Sequence, residues 1–312
     1  MISVRKNHIP IFTAASDATL PYLAATLQSI SECTPEDCIC DVRILTDGLS
    51  PSYRRRLRHM SLPGVDVSIV NISERIYNYR SDLDVRLGAF YRAECFYPLL
   101  IAPMYPRIPK ALFVECGTVF KANPDEVYKT DTPDAIISGL RYEAEYAEEF
   151  ARYADTWLGV DHSSYVDPSL MVLQLDAMRK NKISERFSRL ITGYNFDTLH
   201  PGADYINFLV RGNTLILNDE WCADGHNVAT VFSAHRPPWK YVNTDEAQEF
   251  WDMLRKTPFY EDVRDEYLSW SATDKEKHER EISKIQARSL AFANAPGGFY
   301  STLGDNYLLT KK

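Results

Sequence analysis

The chain of 312 residues is 45% hydrophobic and 25% charged, with a formal net charge of -8 at pH 7. This is an ordinary globular profile, long enough for one large domain or two smaller ones. The negative balance argues against a nucleic-acid partner held by phosphate neutralisation, and no apolar run is long enough to span a bilayer. The first residues, Met1 to His8, enter a strand pattern without the apolar core of a secretory leader. Six scattered cysteines, Cys33, Cys38, Cys40, Cys95, Cys116 and Cys222, read as reduced packing thiols. A cytoplasmic location is therefore expected.

Residues 9–15 form a continuous apolar run of strand length, closing on Ala14 and Ala15. Asp17 follows in a tight turn. Pro21 stands in the first turn of a helix over 22–30, whose Leu23, Thr26, Leu27 and Ile30 share one face. This is the first half of a βαβ unit, and its turn is a natural place for a nucleotide. A second strand over 40–46 passes through Asp47-Gly48 to a helix that Ser50-Pro51 opens and that runs to Arg58. Three consecutive arginines, Arg54 to Arg56, cannot share one helix face, so most of that run reads as solvated surface. A third strand covers 65–70.

A helix is predicted over 87–100, with Pro98 kinking its last turn. It carries Arg92 and Glu94 in an apolar setting, where an arginine takes either a carboxylate partner or a phosphate. The stretch 110–120 reads as a buried strand that ends in Glu115 and Gly117. A carboxylate there is either a solvated strand end or a group facing a metal or phosphate, since ligands of open α/β sheets gather at the carboxyl ends of strands. A turn and a short helix follow over 121–128, then a strand over 134–139. The acidic and aromatic segment 141–161 reads as a solvated helix face in preference to a lid or acceptor-site helix. A bend at Asp167-Pro168 leads into a buried strand over 165–175. Helices are predicted over 176–190 and 204–211, and strands over 213–217 and 228–233. After the turn His235-Arg236-Pro237-Pro238-Trp239, residues 244–291 are charged and helical. Strands alternating with helices predict an α/β fold with a mainly parallel central sheet. The expected organisation is a domain over 1–240 with a C-terminal helical extension over 241–312 packed on it.

The order of these blocks, from residue 9 to about residue 262, resembles glycosyltransferase family 8, the retaining galactosyltransferase- and glycogenin-like enzymes. The opening strand and turn through Asp17 are similar to the family's nucleotide-binding motif. Ala89-Phe90-Tyr91-Arg92 is similar to its Tyr-x-Arg-Leu block, and the strand ending at Glu115 to its Asp-x-Asp strand. The stretch 165–175, the block Gly202-Ala203-Asp204-Tyr205-Ile206-Asn207 and the turn ending at Trp239 resemble its sugar-lining and C-terminal motifs. The resemblance implies a GT-A fold, a UDP-sugar donor, a carbohydrate acceptor and usually a manganese ion. It places Ala14, Ala15, Asp17, Arg92, Glu115, Asn207, His235, Arg236 and Trp239 at the nucleotide sugar. Asp167 and Asp204 are the expected catalytic positions, orienting the donor sugar.

The departures fall on functional positions. The second acid of Asp-x-Asp aligns with Gly117, the metal-binding histidine with Val231, and the diphosphate-binding lysine with Pro237. The glutamine near the anomeric carbon aligns with Ala203 and the acid before it with Gly202. Glu115 is what remains to hold Mn2+ or Mg2+, and a divalent ion wants several hard ligands. His235 stands four residues beyond the expected histidine. Two readings follow. One is a transferase with weak or no metal dependence, in which Arg92, Arg236 and His235 supply the positive charge. The other is a non-catalytic binding or partner subunit of another glycosyltransferase; a homo-oligomer or a partner glycosyltransferase is expected as the protein partner.

Overall fold

Continuous apolar runs make the strands that form the core, because a strand covered on both faces needs no polar alternation. In the computed structural model, which describes residues 6–221 and 227–304, nine strands occur among the described residues. They are β1 (Asn7–Ala14), β2 (Cys38–Thr46), β3 (Val65–Asn71), β4 (Ala111–Val114), β5 (Val119–Phe120), β6 (Ile137–Arg141), β7 (Val166–Leu173), β8 (Thr214–Ile216) and β9 (Ala229–Thr230). Cys222 lies outside the described residues. The other five cysteines are thiols outside any disulfide among the described residues, three of them half-buried and two buried.

The chain divides into two compact units, each assembled from three stretches. The first holds Met1–Arg75, Ala111–Asp131 and Asp219–Ser271, and the second Ile76–Lys110, Thr132–Asn218 and Ala272–Lys312. The helices Asp245–Leu254 and Tyr260–Ser269 fall in the first unit, and Ala272–Ala293 and Phe299–Leu303 in the second.

The first unit is parallel throughout its main sheet. β1 pairs with β2 from Asn7↔Cys38 to Ala14↔Leu45, with β4 at Ile11↔Leu112 and Phe12↔Phe113, and β2 pairs with β3. All four residues of β4 are buried. The helix Leu20–Cys33 carries Pro21 in its first turn, where the missing N–H costs nothing, and buries most of its length. β5 and β9 form a separate antiparallel pair. In the second unit β6 is antiparallel to β7 and parallel to β8. The expected mainly parallel α/β architecture, with helices after residue 240, is therefore present.

Several expectations are corrected. Residues 87–92 are not helical, and the helical segment runs Ala93–Leu100 as a 3-10 helix and Ile101–Met104 as an α-helix. Pro98 removes a donor inside it, which favours the tighter turn. The strand expected over 110–120 breaks into β4 and β5 because Gly117 takes φ +96°. The helix expected over 176–190 is two, Leu175–Lys180 and Ile183–Gly193, divided at Lys182 with φ +52°. The strand expected over 228–233 shrinks to β9. Segment 141–161 is only partly a solvated face: Glu143, Glu145 and Glu148 are exposed, whereas Tyr146, Phe150, Tyr153 and Trp157 are core residues.

Candidate functional site

In the first unit, several predicted residues meet at the carboxyl ends of β1 and β4. Ala14 closes β1, and its carbonyl accepts a bond from the Cys116 thiol at 3.2 Å. Ala15 is fully buried and donates its N–H to the Leu45 carbonyl at 3.0 Å. Asp17 is half-buried, and its carboxylate accepts the Ser50 N–H at 2.9 Å. It thereby fixes the entry to the helix Pro51–Arg58, whose N-cap is Ser50. Glu115 follows β4 directly and is half-buried. Gly117 donates its N–H to the Thr26 hydroxyl at 3.0 Å, which ties the turn to the helix Leu20–Cys33.

Trp239 closes over this turn. Its ring stacks on Tyr22 with centroids 3.8 Å apart and planes 6° from parallel. A Cβ built on Gly117 would stand 2.9 Å from the indole. Position 117 is thus glycine for two reasons, a positive φ that L side chains avoid and a ring that occupies the side-chain space. His235 is buried at 1% exposure, with its N–H on the Ser233 hydroxyl at 3.2 Å. The half-buried Arg236 places its guanidinium 4.9 Å from the Tyr241 ring centroid.

The second unit gathers Asp167, Asp204 and Asn207 around the start of β7. Asp204 has no exposed surface. One of its oxygens accepts the Tyr165 hydroxyl at 2.7 Å, and the other accepts the Tyr153 hydroxyl at 2.8 Å. That second oxygen also accepts the backbone N–H groups of Leu199 at 3.0 Å and His200 at 2.9 Å. Burial pushes the pKa of Asp204 up to about 6, against the pull of these four donors. These bonds make Asp204 a positioning residue for the turn before the helix Pro201–Val210. Asn207 is also fully buried. Its amide holds the Val166 N–H at 2.8 Å, the Val166 carbonyl at 2.9 Å and the Ala203 carbonyl at 3.0 Å. Asp167 keeps partial exposure. Burial raises its pKa, and the Ser169 N–H, 2.8 Å from one carboxylate oxygen, opposes the rise. Arg92 is exposed at the N-cap of the helix Ala93–Leu100.

Sequence reasoning missed the tyrosines. Tyr91 and Tyr146 bring their hydroxyls 2.7 Å and 3.0 Å from the two ring nitrogens of the buried His200, and Tyr142 lies 3.4 Å from the first. The signal was present in the spacing of Tyr142, Tyr146, Phe150 and Tyr153, which repeats at intervals of about one helical turn.

Gly202, the other lost acid position, repeats the logic of Gly117. A Cβ there would lie 2.2 Å from the Cys95 carbonyl oxygen, because the helix Pro201–Val210 crosses that backbone directly. The two acid positions are therefore closed, one by a ring and one by main chain. A divalent ion does not fit what remains. Glu115 belongs to no group of three ligating side chains among the described residues, and Cys116 turns its sulfur to a carbonyl. Among those residues the one such group is Asp155, Asp161 and His162, exposed in the second unit, where Asp155 accepts the His162 N–H and Asp161 accepts the Ser163 N–H and hydroxyl.

The chain matches the sequence model of glycosyl transferase family 8 over residues 7–235. No curated protein matches it in sequence. The apo structure of WbbM, a bifunctional glycosyltransferase, is similar with a TM-score of 0.68 at 15% identity, over 86% of this chain and 53% of that one. This chain thus spans about half the length of WbbM. The galactosyltransferase LgtC, in complex with donor and acceptor sugar analogues, gives a TM-score of 0.60 at 14% identity, over 80% of this chain and 96% of LgtC. The glycosyltransferase GlyE of Streptococcus pneumoniae TIGR4 gives 0.57 at 10% identity, over 85% and 64%. At these identities the likeness is one of fold, and the fold is GT-A. With more than half of its length matched, the chain belongs to glycosyl transferase family 8.

Proposed function

We propose that the chain transfers a hexosyl group from a UDP-sugar to a glycan acceptor with retention of configuration, without a divalent ion. The observation that carries this reading is the Trp239 ring seated on Gly117, which removes the second metal ligand while the carboxyl edge around Asp17 and Glu115 stays built. Negative charge on a departing diphosphate still needs compensation. In the first unit Arg236 is the cation we assign to it. Asp167, half-buried with one oxygen held by Ser169, is the acid that remains to orient donor hydroxyls. Five cysteines kept as thiols suit a reducing compartment, which supports a cytoplasmic place of action.

The closure at both Gly117 and Gly202 also favours a second reading, a nucleotide-sugar-binding subunit of another transferase. An assay of UDP release from UDP-glucose and UDP-galactose, with a mixed glycan acceptor, separates the readings. Release unchanged by EDTA or added Mn2+ supports the metal-independent transferase. Release that requires Mn2+ overturns it. Bound UDP with no turnover points to the subunit.

A further inference from the structure

The second unit contains a cavity of about 190 Å³ whose role the nucleotide-sugar reading does not absorb. Three elements wall it: the turn Val85 to Tyr91, the stretch Asp197 to Leu199, and the helix Ala272–Ala293 through Glu281, Lys284, Ile285 and Arg288. That third wall lies beyond residue 235, outside the stretch that matches the family. We infer that this cavity holds one neutral hexosyl unit of the acceptor glycan. The inference rests on the proposed transferase reading for its ligand class, and the cavity's own chemistry selects the sugar.

Size comes first. The volume is below the roughly 300–1,000 Å³ of sites for drug-sized ligands, so one ring fits and a complete nucleotide sugar does not. Charge comes second. The Lys284 ammonium pairs with Glu281 at 2.7 Å, and Arg288 faces Asp197 at 3.9 Å. The buried Arg86 spends its guanidinium on the Tyr205 hydroxyl and on the carbonyls of Asp82 and Tyr194. Each cation on the wall is therefore already answered, which leaves little attraction for a phosphate. The same pairs present donors and acceptors side by side, the pattern that adjacent sugar hydroxyls require. Third, the Thr198 hydroxyl is buried on the cavity wall and has no partner among the described residues. A buried hydroxyl without a partner calls for an explanation, and a bound hydroxyl that draws it round supplies one. Phe90 adds an aromatic surface, set edge-on to His278 at 4.8 Å between centroids.

The buried network described above holds two of these walls in place. Asp204 fixes the Leu199 and His200 backbone, and Tyr91 meets His200. The positioning role of Asp204 is thus carried to the cavity rather than to the donor.

The test is saturation-transfer NMR on the full chain, with methyl β-D-galactopyranoside, methyl β-D-glucopyranoside and inorganic phosphate as separate probes. Expected is transfer to at least one methyl hexoside, not displaced by phosphate. Thr198→Val should weaken it several-fold, and Lys284→Trp, which fills the cavity from an exposed position, should abolish it. Thermal melting of both variants verifies that they fold. Undiminished hexoside binding in a folded Lys284→Trp protein, or displacement by phosphate, overturns the inference. A wild-type protein that binds UDP but neither hexoside also overturns it and leaves the transferase reading standing. Hexoside binding without any UDP binding keeps the cavity assignment and removes the nucleotide-sugar reading.

Discussion

Replacing Gly117 by alanine isolates the reason for the altered metal position. The native backbone has φ +96°, and the added methyl would stand 2.9 Å from the Trp239 ring. A left-handed conformation costs an L residue about 1–2 kcal/mol, and forcing a methyl into a filled space costs about 1–3 kcal/mol more. The sum is about 2–5 kcal/mol, because the indole is held against Tyr22 and has limited room to retreat. For a chain of 312 residues that is a fall in Tm of about 3–8 °C. Urea denaturation followed by tryptophan fluorescence measures it, with midpoints converted through a shared slope. Gly117→Asp should be destabilised at least as much and should gain no Mn2+ affinity. A Gly117→Ala protein within about 0.5 kcal/mol of wild type, the ordinary range of surface changes, would refute the seating of Trp239 on this turn. So would a Gly117→Asp protein that binds Mn2+ tightly.

Gly202→Ala should cost more than Gly117→Ala, since its methyl would meet a main-chain carbonyl at 2.2 Å rather than a side chain; comparison of the two unfolding midpoints checks the order. Asn207→Ala should lose about 2–4 kcal/mol, since it orphans the Val166 N–H and two carbonyls. Its UDP affinity should stay near that of wild type, measured below the unfolding transition. Asp204 carries a pKa raised from 3.8 to about 6. The folded state therefore holds an extra proton between these values, and stability falls as pH rises through about 4 to 6, by up to about 3 kcal/mol. Asp204→Asn removes that titration. The stability gap between wild type and variant should shrink by this amount from pH 4 to pH 7, and a gap that widens would contradict the burial argument.

The parallel sheet was legible because runs such as Ile9 to Ala15 and Ala111 to Val114 are apolar at every step or nearly so, which only two-sided burial explains. The helix expected at 87–100 failed because apolar composition outweighed Gly88 and Pro98 in the reading, while in the chain those residues delay and tighten the helix. Asp17 and Glu115 were legible as residues just past the ends of β1 and β4, since strand ends are fixed by the sheet. Asp204 and Asn207 were picked out in sequence, but the buried bonds that hold them were not. Sequence shows a carboxylate but not that four donors surround it. Gly117 and Gly202 show the same boundary from the other side. In sequence they are missing acids; in the fold they are positions where no side chain fits.

The central claim, nucleotide-sugar binding without a divalent ion, is tested most directly by calorimetric titration of UDP into the metal-stripped protein, repeated with Mn2+. The account predicts saturable binding with a dissociation constant that Mn2+ changes by less than about twofold. UDP binding that appears only with Mn2+ and is lost in Glu115→Ala would contradict it.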